Sequence, residues 1–235
     1  MKNPALLGTI LLAHILVVLP LLVWRSTRQL RAARAAAPGP EAVLPVPRTQ
    51  LYVSTLFMLG ILFLLAWLAA RDSSYDIFGI ESIGAPEVLA GVAAFLLYLV
   101  LRKAAQALHT EEERRRTVVR AMLPRSPREW SLYVLMAIAA GIAEEAAYRG
   151  VGMALLSEAL GNPWVAVLML ATAFALAHLI QEWKSVPIIF LMALAMHALV
   201  AVTGTLVVAM VVHAVFDVVS GVLAAREISP TPEAG

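Results

Sequence analysis

The sequence predicts an all-α, polytopic transmembrane bundle of about seven spans, and three observations carry that prediction. Of 235 residues, 61% are hydrophobic and only 14% are charged, and the mean hydropathy is +0.82. A soluble domain carries about 25% charged residues, and so few could not cover a water-facing surface. The apolar residues fall into separate runs near the ~20 residues that cross a hydrocarbon core. Arginine and lysine alternate between loops, the asymmetry that sets orientation in a membrane. Backbone groups in lipid must bond within their own segment, so the spans are helices. The alternating runs of about 10 residues that mark a β-barrel do not occur.

Residues 5–24 form the first span, although it contains His14 and Pro20. Its apolar run exceeds the 7–15 residues of a signal peptide. Arg25, Arg28, Arg31 and Arg34 follow it, so a retained helix ending in the cytoplasm is expected. Residues 34–47, with Pro38, Pro40, Pro45 and Pro47, read as an irregular linker. Residues 51–70 carry no charge and form the second span. The third, residues 88–101, is short unless its helix begins nearer Ile83. Residues 130–156 form the fourth span, carrying Glu144, Glu145 and Arg149. Residues 163–180, 187–202 and 206–224 complete the set. The first loop holds five arginines and the third loop eight basic residues. The second holds one arginine against Asp72, Asp76, Glu81 and Glu87. The first and third loops are therefore expected in the cytoplasm, with the N-terminus outside and the C-terminus cytoplasmic.

Two parts and a tail are expected. Residues 1–127 supply three spans with basic loops, residues 128–225 a four-helix core, and residues 226–235 a short polar tail. Connections in the core are as short as Gly161-Asn162-Pro163 and Thr203-Gly204-Thr205, which makes sequential helices antiparallel neighbours. The run from Glu111 to Arg116 pairs acidic and basic residues three apart on a cytoplasmic helix. Leu108, Val118, Val119 and Met122 beside it suit the membrane interface. The net charge of +2 points to no nucleic-acid partner. With no cysteine, disulfides, thiolate metal sites and cysteine nucleophiles are excluded.

An ionisable residue at membrane depth costs about 2.5–3.5 kcal/mol on insertion scales and marks function by default. Glu145 and Arg149 are four apart and share a helical face, which leaves Glu144 without a charge partner on its own helix, free to act as a general base. Phe174 and His178 share a face of the fifth span, and His213 and Asp217 a face of the seventh. Six costly residues in one four-helix block are explained together if they neutralise one another in one cavity. His14 and His197 have no such motif around them and read as core histidines.

These motifs, Glu-Glu-x-x-x-Arg, Phe-x-x-x-His and His-x-x-x-Asp in order on successive helices, resemble the CPBP family, which includes the type II CAAX prenyl endopeptidases and Abi proteins. The resemblance covers about residues 130–224. It implies an intramembrane endopeptidase in which Glu144 and His178 activate a water and His213, with its partner four residues on, stabilises the oxyanion. Glu145 and Arg149 would hold Glu144 or contact substrate. CAAX-type members usually carry Asn where Asp217 stands, and an ionised carboxylate cannot donate to an oxyanion; Asp217 could instead orient His213 or bind a metal. No cofactor is expected, the alternative being a divalent metal such as zinc at Glu144, His178 and His213. The partners implied are a membrane protein or peptide, lipidated or not, and the bilayer, in a bacterial inner membrane. A non-catalytic scaffold or a bacteriocin self-immunity protein of the same fold is the alternative. A proton-relaying transporter is disfavoured by the lack of an inverted repeat.

Overall fold

The computed structural model describes residues 6–36, 44, 46–76, 83–115 and 117–227. Among them are nine helices and no strand. Helix α1 covers residues 6–36: Leu6–Ala13, a π-helical turn at His14–Val18, then Leu19–Ala36. The π turn precedes Pro20, whose missing N–H breaks the regular ladder, and the Leu19 N–H bonds to the His14 carbonyl instead. Helix α2 is Arg48–Asp72 and α3 is Ala85–Ala107. The Gly84 N–H donates to the Glu87 carboxylate at 2.8 Å, which starts α3 at the first turn. Short helices α4, Glu111–Arg115, and α5, Val118–Ala121, follow.

The core begins where Ser126 caps α6 by accepting from the Glu129 N–H, with Pro127 in the first turn. Helix α6 is Pro127–Leu160 and contains a π-helical turn at Glu145–Val151. Helix α7 is Pro163–Ala177, capped by the Asn162 side chain. Two 3-10 turns, Leu179–Gln181 and Trp183–Ser185, lead into α8, Val186–Thr203. Thr205 caps α9, Leu206–Arg226. Gly161 and Gly204 close α6 and α8 at φ of +64° and +69°, where a side chain would be strained.

Helix α6 is the axis of the bundle, with α2 and α9 packed along it; α8 packs on α7 and α3. The first half of α1 lies on α2, whereas its second half lies on α7 and the turn after it. Exposed apolar side chains such as Phe57, Leu89 and Val202 face outward around this core, as lipid-facing residues do. The basic loops meet at one end. There Arg31 pairs with Glu182 at 3.4 Å, Lys184 with Glu113 at 2.6 Å, Arg102 with Glu227 at 3.2 Å, and Arg48 donates to the Ala121 carbonyl. Arg114 pairs with Glu111 three residues before it, as the run from Glu111 predicts.

The expected fifth span is a shorter helix than a full crossing needs, and the turns after it complete the traverse. Among the described residues six helices, not seven, are long and apolar enough to cross a membrane. The expected fifth span ends at Ala177 rather than Ile180, and its 15 residues reach about 22 Å at 1.5 Å each, short of a ~30 Å core. His178 leaves the helix with φ −104°, and the polar residues Gln181 and Glu182 follow, Glu182 at φ +75°. The 3-10 turns carry the chain onward to the end where the basic loops lie. Two further boundaries move. The first helix runs on to Ala36, into the expected linker, of which residues 37–43 and 45 lie outside the described residues. The third span gains its length by beginning at Ala85 and ending at Ala107, rather than 88–101. Of the expected tail, residues 228–235 lie outside the described residues.

Candidate functional site

Helix geometry brings all six expected site residues together. Glu144 lies 17 residues before Gly161 and His178 lies 17 after it, so an antiparallel pair folded at that turn sets them at the same depth. Depth judged from the loop ends alone separates them by up to ~15 Å; the extra length of α6 removes that discrepancy. The His178 Nε2 is 3.9 Å from the Glu144 Oε2.

The π turn divides the two carboxylates. Its signature is the bond from the Gly152 N–H to the Ala147 carbonyl, five residues back. A Cβ on Gly152 would stand 2.3 Å from that oxygen, so the turn requires glycine there. Such turns recur at functional positions. Glu145 is fully buried and faces α9, where its Oε1 accepts from Arg149 at 3.1 Å and from the His213 Nδ1 at 2.8 Å. Glu144 faces α1, α2 and α7 instead. Its Oε2 is buried without a hydrogen-bond partner in the protein, at 3.8 Å from the His213 Nε2.

Close packing of α9 on α6 fixes His213. At Gly141 an added Cβ would lie 2.7 Å from the Met210 carbonyl oxygen and 3.0 Å from Ala214. At Gly221 it would lie 2.6 Å from the Tyr133 ring. That ring reaches across, and its hydroxyl donates to the Asp217 backbone carbonyl at 2.9 Å. The Asp217 Oδ2 is 3.7 Å from the His213 Nε2, so Glu145 and not Asp217 is the direct hydrogen-bond partner of His213.

Phe174 does more than share a face with His178. Its ring lies 4.2 Å under the Arg149 guanidinium and 4.3 Å from the His178 ring, with Tyr148 edge-on at 5.2 Å. A cation on a ring in a dry site is worth up to about 2 kcal/mol. The His178 Nδ1 donates to the Phe174 carbonyl at 2.7 Å, since a carbonyl can only accept. In the neutral ring Nε2 then carries the lone pair and faces Glu144. The His213 Nδ1 donates to Glu145, and its Nε2 faces Glu144.

A cavity of about 320 Å³ ends on Glu144, Tyr148 and His178. Its far walls come from α1, with Leu19, Leu22 and Ser26, and from α2, with Ser54, Thr55 and Leu59. These N-terminal residues were not legible as site residues, because apolar and hydroxyl side chains on a span look like lipid-facing ones. Nor is Tyr133 marked by any motif.

The spacing around Glu144 is wider than a shared metal ion requires. Two ligands each about 2.1 Å from a tetrahedral zinc lie about 3.4 Å apart, closer than the 3.8 and 3.9 Å found around the Glu144 Oε2. Among the described residues no group of three or more His, Asp or Glu is placed to hold a metal ion. The arrangement fits a small hydrogen-bonding molecule better. An oxygen about 2.8 Å from each of two polar atoms 3.8–3.9 Å apart bridges them comfortably.

Residues 126–219, from the cap of α6 into α9, match the family model described as Type II CAAX prenyl endopeptidase Rce1-like. Over this region, two-fifths of its length, the chain is similar to that family. The match contains all six site residues and begins at the capping Ser126. No curated protein and no solved structure matches the chain. The match suggests, at the level of the family, a CAAX-type intramembrane protease, and the six long apolar helices among the described residues mark an integral membrane protein.

Proposed function

We propose that the chain hydrolyses a peptide bond at or near the membrane with a water activated by Glu144 and His178. The observation that carries this reading is the unpartnered Glu144 Oε2 at the inner end of the cavity, with an imidazole Nε2 on either side at 3.9 and 3.8 Å. A water bridging Glu144 and His178 gives its proton to the carboxylate, and its oxygen attacks the carbonyl carbon. The carbonyl oxygen becomes the oxyanion. Collapse breaks the C–N bond, and the proton passes to the leaving amine.

His213 is suited to the oxyanion. With Nδ1–H already given to Glu145, it must carry a second proton on Nε2 to donate there. Glu145, itself held by Arg149, orients the ring, and a preorganised donor of this kind is worth about 10²–10³ in kcat. Asp217 replaces the amide usual in the family and stands 3.7 Å from Nε2, which suits orienting His213 rather than donating. The apolar α1 and α2 walls accept the uncharged residues flanking the bond cut. By the Lys/Arg rule the end where the basic loops meet is cytoplasmic. The N-terminus is then outside and the C-terminus inside, in a bacterial inner membrane. The mechanism uses no metal.

The test is Glu144→Gln, which keeps size and removes the base. It should lower cleavage of a farnesylated CAAX reporter peptide by ~10²–10⁴-fold while the protein stays in the membrane. C-terminal peptides of the membrane proteome, compared with and without the protein, identify its own substrates. Full activity of Glu144→Gln would reject the base. No cleavage of reporter or proteome by the wild-type protein would favour the scaffold or immunity role.

A further inference from the structure

A second set of buried polar atoms lies behind the Glu144 face, and the mechanism above does not use it. Glu145 Oε2, Arg149 Nε, Arg149 Nη2 and His197 Nε2 are each buried without a hydrogen-bond partner in the protein. Three of these atoms belong to the pair that holds His213. The fourth belongs to a histidine on α8 that is only 7% exposed.

Chain geometry brings His197 to that pair. Helices α8 and α9 fold back on each other at Thr203-Gly204-Thr205, and His197 and His213 each lie eight residues from Thr205. The two histidines therefore sit at the same depth on neighbouring antiparallel helices. Helix α8 also packs against the π turn that carries Glu145 and Arg149. His197 is within electrostatic reach of both.

Donors and acceptors match. Arg149 has five N–H donors and no acceptor. Its Nη1 is taken by Glu145, and its face rests on Phe174. The groups at Nε and Nη2 need acceptors, and the unpartnered atoms supply two: the second oxygen of Glu145 and an imidazole nitrogen with a lone pair. Four polar atoms are also enough partners for a buried bridging water.

We propose that His197 is a positioning residue, whose Nε2 accepts a hydrogen bond from one buried water that in turn accepts from Arg149. It thereby fixes the guanidinium that orients Glu145 and, through Glu145, His213. This rests on the reading of the Glu144 site as catalytic. His197 does not touch substrate or the reacting atoms.

The test compares His197→Leu, which keeps the volume and removes the acceptor, with His197→Gln, which restores an acceptor oxygen. On the farnesylated reporter peptide, His197→Leu should lower kcat about tenfold through misplacement of His213 and leave KM within about twofold. His197→Gln should recover most of that loss. In histidine-labelled protein, the His213 ¹⁵N resonances should shift in His197→Leu and stay near wild type in His197→Gln, a readout that needs no substrate. Unchanged kcat and unchanged His213 resonances in His197→Leu overturn the proposal. So does equal loss in both variants, which would mean that the side chain is needed for packing and not as an acceptor. Glu144→Gln measured alongside separates the two failures. If it stays active, the catalytic reading falls; if it is dead while His197→Leu is normal, only the role of His197 falls.

Discussion

Gly141→Ala puts one methyl group at the crossing of α6 and α9. The added carbon would stand 2.7 Å from the Met210 carbonyl oxygen and 3.0 Å from the Ala214 nitrogen and Cβ. Two of those three atoms are backbone, so no side chain can turn aside and α9 itself must move. Ordinary contact begins near 3.4 Å, so the separation must grow by about 0.4–0.7 Å, an overpacking that costs about 1–3 kcal/mol. The same displacement acts on the bond from His213 to Glu145. At 2.8 Å it is strong, and lengthening by about 0.7 Å carries it to the limit of a hydrogen bond. A misplacement of 1 Å near the chemistry can cost about 10²-fold in rate, so a loss of ~10–100-fold in kcat is expected. The assay is cleavage of the farnesylated reporter in detergent, with thermal unfolding measured on the same sample. Gly60→Ala is the control. Nothing lies within 4 Å of its Cβ, so the change should leave activity unaltered and raise stability by up to about 1 kcal/mol through helix propensity. Wild-type kcat in Gly141→Ala would refute the argument that close α6–α9 packing aligns His213.

Three further outcomes follow from the same geometry. Arg149→Lys keeps the charge but loses the planar fork that both bonds Glu145 and stacks on Phe174; kcat should fall about 10–100-fold, and full activity would show that charge alone suffices. Treatment with 1,10-phenanthroline should leave cleavage unchanged, whereas loss that added zinc restores would replace the water mechanism with a metal one. The third concerns the tie between Lys184 and Glu113 at the loop end. The hydrogen bond from Lys184, helped by the Thr110 N–H, holds the Glu113 carboxyl below its ordinary value of 4.5. A depressed carboxyl contributes stability that is present above its unfolded value and lost as pH falls through the folded one. Lys184→Met should therefore unfold earlier than wild type at pH 7, with the difference closing as pH drops below about 4.5. A difference that persisted at pH 2 would mean that the pair contributes through packing and not charge.

Much of the site is legible in the sequence because straight helices translate spacing into direction. Four-residue spacing joins Glu145 to Arg149 and sets Asp217 beside His213. Short turns extend the same logic between helices: equal distances from Gly161 pair Glu144 with His178, and equal distances from Thr205 set His197 level with His213. Counting from loop ends hides this, because α6 is longer than a membrane crossing needs and α7 shorter.

By itself the sequence determined the all-helical membrane architecture and the three ordered motifs, since hydropathy and helical period act locally along the chain. Tertiary structure alone decided three things. The π turn sends Glu145 toward His213 and leaves Glu144 facing the cavity, a change of phase that no pattern of polar residues encodes. The contact of α6 with α9 makes Glu145 rather than Asp217 the direct partner of His213. The second half of α1 supplies, with α2, the walls of the cavity that ends on Glu144. Each depends on side chains far apart in the chain meeting at a distance set by packing, so spacing within one helix cannot express it.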